Sequence, residues 1–189
     1  MNDAGRLIVF AAPTGGGKST IIHRLRELHP EWGFSVSATT RAPRPGEVDG
    51  RDYYFFSRDE FERRLQAGEF FEHEEVHGNL YGTLIRPTAE RLERGEILLF
   101  DLDVKGALNL KQHFPAALTI FLRPPSREVL IARLRNRGTE SPEVMAQRLA
   151  RWDLELARAP QFDLQIVNDN LDLTVAEIDQ AIAEWLQLN

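Results

Sequence analysis

The apolar run Leu7-Ile8-Val9-Phe10-Ala11, the loop Ala12-Pro13-Thr14-Gly15-Gly16-Gly17-Lys18-Ser19-Thr20 and the helical pattern from Ile21 onward constrain this chain more than any other feature. A buried strand that passes into a helix through three glycines gathers backbone N–H groups around a small volume that side chains would otherwise obstruct. The first amides of the helix lack intrahelical acceptors and sit at its positive end, so they favour phosphate oxygens. Lys18 adds a point charge for the β- and γ-phosphates of a nucleoside triphosphate, and the Ser19 hydroxyl offers a ligand for Mg²⁺. In its strict form such a loop opens with glycine six residues before the lysine, and Ala12 stands there instead. Alanine preserves the loop provided that the backbone there needs no positive φ.

A chain of 189 residues suits one compact α/β domain with room for inserted subdomains. No apolar stretch approaches membrane-spanning length, and the polar Met1-Asn2-Asp3-Ala4-Gly5 carries no secretory pattern, so the expected location is the cytoplasm. The absence of cysteine excludes disulfides, thiolate zinc sites and cysteine nucleophiles. A net charge of −6 argues against nucleic-acid binding, which needs an extended basic face. Seven arginines nonetheless fall between Arg123 and Arg151 against Glu128, Glu140 and Glu143, a pattern suited to a small anionic ligand.

Short apolar runs at 7–11, 34–36, 97–100, 118–122 and 164–167 alternate with helical patterns, which predicts a five-stranded parallel sheet covered by helices. Ser57 with Glu60 and Thr174 with Glu177 have capping-box spacing, and Ser141-Pro142 puts proline at a first helical position. Residues 39–82 differ from the rest. Tyr53-Tyr54-Phe55-Phe56, Phe70-Phe71-Glu72 and Asn79-Leu80-Tyr81-Gly82 predict a small β-rich insertion that binds substrate. Gly138-Thr139-Glu140-Ser141 between two arginine-bearing helices reads as a hinged cover.

The run 97–100 continues into Asp101-Leu102-Asp103, which places carboxylates at the carboxyl edge of the sheet, where open α/β folds bind ligands. Two residues apart on extended chain, Asp101 and Asp103 share a face and can address Mg²⁺, a water on it or an acceptor nucleotide; Asp103 can instead cap the helix near Val104. After the second strand, Arg41 and the proline-bracketed Arg44 form a guanidinium pair suited to clamping a phosphate.

Together with Pro45-Gly46-Glu47, Asp52-Tyr53, Glu69-Phe70-Phe71-Glu72, Gly78-Asn79-Leu80-Tyr81-Gly82-Thr83, Pro124-Pro125-Ser126 and Val167-Asn168-Asp169, these stretches resemble the guanylate kinase family along nearly the whole chain. The resemblance implies a P-loop NTPase with a three-layer αβα core, a β-rich GMP-binding insertion at 39–82 and a helical lid at about 133–149, the core being 1–38, 83–132 and 150–189. It implies transfer of the γ-phosphoryl group of ATP to GMP with Mg²⁺, no nucleic-acid or membrane partner, and leaves monomer and homodimer both open. Residue by residue, it assigns Ala12, Pro13, Thr14, Gly15, Gly16, Gly17, Lys18, Ser19, Thr20 and Asn168 to ATP. Arg41, Arg44, Tyr53 and Tyr81 fall on the GMP phosphate; Ser37, Glu72 and Thr83 fall on the base, with Asp101 and Asp103 nearby. Catalytic duty goes to Lys18, Arg41, Arg133, Arg137 and Arg148, and the metal to Ser19, with Asp101 acting through water. Guanine presents N1–H and N2–H₂ donors that one ionised carboxylate can accept, whereas adenine lacks both. Leu80, where many relatives have an aromatic residue, and Val104-Lys105 depart from the family pattern.

Other readings are weaker. His73-Glu74-Glu75-Val76-His77 matches a zinc-hydrolase signature, but that chemistry needs a helix and the flanking Phe70-Phe71 and Gly78-Asn79 favour strand and turn. A phosphopeptide-binding scaffold module would not need Lys18, Ser19 and the lid arginines. A kinase for another acceptor is disfavoured by Ser37, Glu72 and Tyr81 together. His23, His29 and His113 lie in helical patterns and read as solvated.

Overall fold

The structure is a computed structural model that describes residues 5–13, 15–76, 78–136 and 142–188. In chain order the strands are β1 (Arg6–Ala11), β2 (Gly33–Phe34), β3 (Ala38–Thr39), β4 (Tyr54–Phe55), β5 (Phe70–Val76), β6 (Asn79–Leu84), β7 (Ile97–Leu102), β8 (Leu118–Arg123) and β9 (Leu164–Val167). The helices are α1 (Lys18–Leu28), α2 (Arg58–Gln66), α3 (Ile85–Glu93), α4 (Val104–His113), α5 (Arg127–Asn136), α6 (Pro142–Leu156) and α7 (Leu171–Leu188).

Strands β2-β7-β1-β8-β9 form a parallel sheet in that order, with β1 central. Residues of β1 alternate between two cores, as period-2 chain buried on both faces must. Leu7, Val9 and Ala11 pack with Phe100, Ala107, Leu110 and Phe121 on the α4 side. Ile8 and Phe10 pack with Ile21, Leu25, Ile178 and Ile182 of α1 and α7 on the other. These layers are the expected αβα arrangement. Leu130, Leu134 and Trp152 make a smaller core between α5 and α6.

The stretch after β2 supplies a second sheet, β4-β3-β6-β5, in which β3 runs antiparallel to β6 and β6 antiparallel to β5. Its core is a cluster of Ala38, Phe61, Phe70, Leu80 and Leu84, with α2 laid on it through Phe61. Ser57 caps α2, its hydroxyl accepting from the Glu60 amide at 3.1 Å.

Three local expectations need correction. The second strand is Gly33–Phe34 rather than 34–36, because after the Ser35 amide donates to the Leu99 carbonyl the chain leaves to deliver Ala38 and Thr39 to the second sheet. Thr174 does not cap α7. The helix begins at Leu171, and Asn170 Oδ1 accepts from the Leu173 amide at 3.1 Å, which leaves Thr174 buried in the second turn. His29 is not simply solvated: it stacks on buried Trp32 with ring centroids 3.8 Å apart and pairs with Asp179 at 2.6 Å, joining the end of α1 to α7.

Candidate active site

β1 ends at the loop. Gly15 and Gly17 have φ of +90° and +86°, conformations that L side chains rarely adopt. Gly17 is crowded as well as left-handed: a Cβ there would lie 2.2 Å from Asn168 Nδ2. The loop forms with Ala12 at its start, and α1 then begins at Lys18 with no side-chain cap and no acidic residue in its first turn. Its leading amides are therefore left for an anion. Ala12, Pro13, Gly15, Gly16, Gly17, Lys18, Ser19 and Thr20 line a cavity of about 290 Å³ together with Asp103, Arg151 and Glu155. Thr14 lies outside the described residues.

Lys18 Nζ pairs with Asp101 Oδ1 at 2.5 Å and also donates to the Leu102 carbonyl at the end of β7. Ser19 Oγ donates to Asp101 Oδ2 at 3.3 Å. The parallel pairing of β1 with β7, which sets Phe10 opposite Asp101, carries the aspartate to the mouth of the loop. These hard oxygen donors, an exposed hydroxyl and a carboxylate at hydrogen-bond distance, fit Mg²⁺. Asp103 takes the capping role: Oδ1 accepts from the Gly106 amide at 2.7 Å, while Oδ2 accepts from Arg151.

In the loop after β3, Arg41 makes a two-pronged ion pair with Glu47 at 2.8 and 3.0 Å and lies over the rings of Tyr53 and Phe55. Hydrogen bonds from Arg41, then from the Arg44 amide, hold the Glu47 carboxyl below its usual range; the same pair with Glu47 raises the Arg41 guanidinium, and the Tyr81 hydroxyl adds to that. Tyr53 and Tyr81 meet edge to face at 6.2 Å. Arg41, Tyr53 and Tyr81 thus converge, whereas the Arg44 side chain is exposed.

Glu72 and Thr83 face one another across β5 and β6, and Thr83 Oγ1 donates to Glu72 Oε1 at 2.7 Å. Burial pushes the Glu72 carboxyl above its usual range; Thr83 opposes this, and Asp103 and Glu74 add to it. A second cavity of about 290 Å³ is lined by Glu72, His73, Glu74, Asp103, Lys105 and Asn109, among others. Asp103 belongs to the walls of both cavities. Ser37 is half-buried just before β3, its carbonyl accepting from the Tyr54 amide.

Asn168 is buried, and its amide donates to the Gly16 carbonyl at 2.9 Å; Arg133 Nη2 in turn donates to the Asn168 carbonyl at 2.8 Å. Both residues therefore brace the glycine loop. Arg148 is half-buried on α6, and Arg137 lies outside the described residues. His73 sits on extended β5, not on the helix that the zinc signature requires, and His77 lies outside the described residues. Glu47 on Arg41, and Arg151 and Glu155 at the loop cavity, received no individual role from sequence, Arg151 counting only as one of seven arginines in a basic segment. The spacing of Arg148, Arg151 and Glu155 on one helix was the available signal for the last two.

A sequence profile for guanylate kinase matches residues 4–185. The chain is 52% identical over 185 residues to the guanylate kinase of Chlorobaculum tepidum, covering 97% of this chain and 95% of that one. It is 51% identical over 179 residues to that of Gloeobacter violaceus, covering 95% and 87%. The crystal structure of guanylate kinase from Anaplasma phagocytophilum superposes with a TM-score of 0.71 at 31% identity, over 97% of this chain and 87% of that one. The matches take in nearly the whole chain, the glycine loop and both cavities included: the chain belongs to the guanylate kinase family.

Proposed function

We propose that the chain transfers the γ-phosphoryl group of ATP to GMP, giving ADP and GDP, in the cytoplasm as part of purine nucleotide metabolism, with 39–82 as the acceptor arm and about 133–149 as the lid. The observation that carries this reading is the shared wall: Asp103 borders both the loop cavity and the Glu72 cavity, so nucleotides held at the two would be immediate neighbours.

The acceptor is a phosphate monoester whose second pKa is about 6, so near neutral pH its attacking oxygen needs no protein base. The task left to the protein is to hold two polyanions in line and to meet the charge that moves between them. The loop amides and Lys18 hold the donor tail. Arg41, Arg44, Tyr53 and Tyr81 hold the acceptor phosphate, and Arg41 exchanges Glu47 for it. Glu72, set by Thr83 and joined by Ser37, accepts the guanine N1–H and N2–H₂. Arg133, Arg137 and Arg148 converge on the polyphosphate as the lid shuts and excludes water as a competing acceptor. Ser19 and, through water, Asp101 would hold Mg²⁺, which when bound neutralises phosphate charge. Asn168 supports the donor side from beneath the loop.

The test is ADP release from ATP and Mg²⁺ with each monophosphate in turn. Rapid turnover with GMP, slow turnover with AMP, CMP or UMP, and almost none without acceptor is the expected result. Equal rates with AMP would overturn the assignment of the second cavity. Among the described residues no helix is long and apolar enough to cross a membrane.

A further inference from the structure

Arg151 projects from α6 into the junction between the two cavities. Its Nε donates to Glu155 Oε1 one turn along the helix at 2.7 Å, its Nη2 donates to Asp103 Oδ2 at 3.1 Å, and its Nη1 lies 3.9 Å from Glu74 Oε1. One guanidinium thus spans three elements: α6, the cap of α4 and β5.

Asp103 and Glu74 are also the acids that crowd Glu72. Asp103 Oδ1 and Glu72 Cγ approach the same point above Gly106, at 3.2 and 3.1 Å from where its Cβ would be. Glu74 follows Glu72 by two residues on β5 and so shares its face. Among the described residues the charged groups around Glu72 are Asp103 at the cap of α4 and Lys105 within it, His73 and Glu74 from its own strand, and Arg151 from α6, while β6 contributes the Thr83 hydroxyl. Three carboxylates therefore gather where a dianionic nucleotide must place its base.

We propose that Arg151 is a positioning residue for the acceptor base, drawing Asp103 and Glu74 toward α6 and supplying the counter-charge that lets Glu72 face guanine as a carboxylate. This rests on Glu72 as the base reader. Both Asp103 and Glu74 favour protonation of Glu72, as its burial does, so a cation that neutralises them opposes that tendency. Glu155, half of the anchor on α6, is itself buried, which fixes the direction from which the guanidinium reaches across. The arm and the donor-side helix are thereby tied through one side chain, and the base pocket is complete only when α6 is in place.

The test is steady-state kinetics of the full chain with Arg151→Gln, Arg151→Met and Arg151→Lys, from about pH 5 to pH 8. In the glutamine and methionine variants the KM for GMP should rise roughly tenfold, as for loss of a charge-assisted contact, and by clearly more than the KM for ATP, although Arg151 also borders the loop cavity. The acid limb of kcat/KM for GMP should move to higher pH. Because the ionisation of GMP itself is common to all the proteins, that displacement belongs to the enzyme. Arg151→Lys should recover most of both effects. An unmoved acid limb, or a loss that falls as much on the KM for ATP, overturns the proposal; methionine keeps the aliphatic stem, so its agreement with glutamine separates charge from packing. Glu72→Gln measured alongside distinguishes the two readings. If it keeps the preference for GMP over AMP, the base-reading role falls and this inference with it. If it loses that preference while the Arg151 variants match the parent, only the present inference falls.

Discussion

The proposed donor and acceptor sides of this molecule are built from different materials. The donor cradle is mostly backbone, a loop between β1 and α1 anchored in a sheet that is buried on both faces. The acceptor side is mostly side chains, Arg41, Tyr53, Glu72, Tyr81 and Thr83, carried on a small sheet whose core has five buried residues. A backbone cradle is rigid and reads phosphate, which every nucleotide has. A side-chain pocket on a lightly packed arm can move, and can tell one base from another.

Lys18→Ala should do the most damage, lowering kcat by about 10³-fold while the KM for GMP stays within a fewfold, because it removes preorganised charge from the donor side alone. A matching collapse of GMP binding would break the separation of the two sides. Phe61→Ala should cost the arm about 3 kcal/mol. Amide exchange in β3 and β6 would then rise by roughly two orders of magnitude while β1 and β8 exchange as before; parallel acceleration in β1 would mean that arm and core unfold as one unit. Glu72→Gln should reduce the GMP-over-AMP preference by about 10²-fold with little effect on ATP, read from kcat/KM ratios. The smallest effect is with pH. Since the Glu72 carboxyl titrates above the ordinary carboxylate range, acidification should protonate it early, and the KM for GMP should rise as pH falls toward 5, by a fewfold more than in Glu72→Gln. The sign follows because only the ionised form accepts two hydrogen bonds from guanine.

The same contrast explains what could be read from sequence. The loop, α1 and the strand that carries Asp101 are local patterns, so β1, β7 and the loop cavity were legible in Ala12 to Thr20 and in the acids after Phe100. Ser57 was legible as a cap because its partner is three residues away. Thr174 misled because Asn170, at the true start of α7, offers the same chemistry one turn earlier. The end of β2 was misplaced because the chain changes sheets there, which no apolar pattern announces. Arg151 was missed for a plainer reason: its meaning lies in Asp103 and Glu74, far away in the chain and on two other elements. The dual position of Asp103, capping α4 while bordering both cavities, combines two readings that sequence presented as alternatives.

One arrangement at the loop bears on how tightly nucleotide is held. Lys18 has a carboxylate and a carbonyl for company within the protein itself. Under the proposed function, entry of a triphosphate would exchange one anion for another at the ammonium, and the net gain would be a difference between two attractions of similar kind. Such a swap would keep the ground-state grip modest and would leave the Asp101 carboxylate available to help hold a hydrated Mg²⁺. A lysine left bare would hold its nucleotide harder and release the product more slowly.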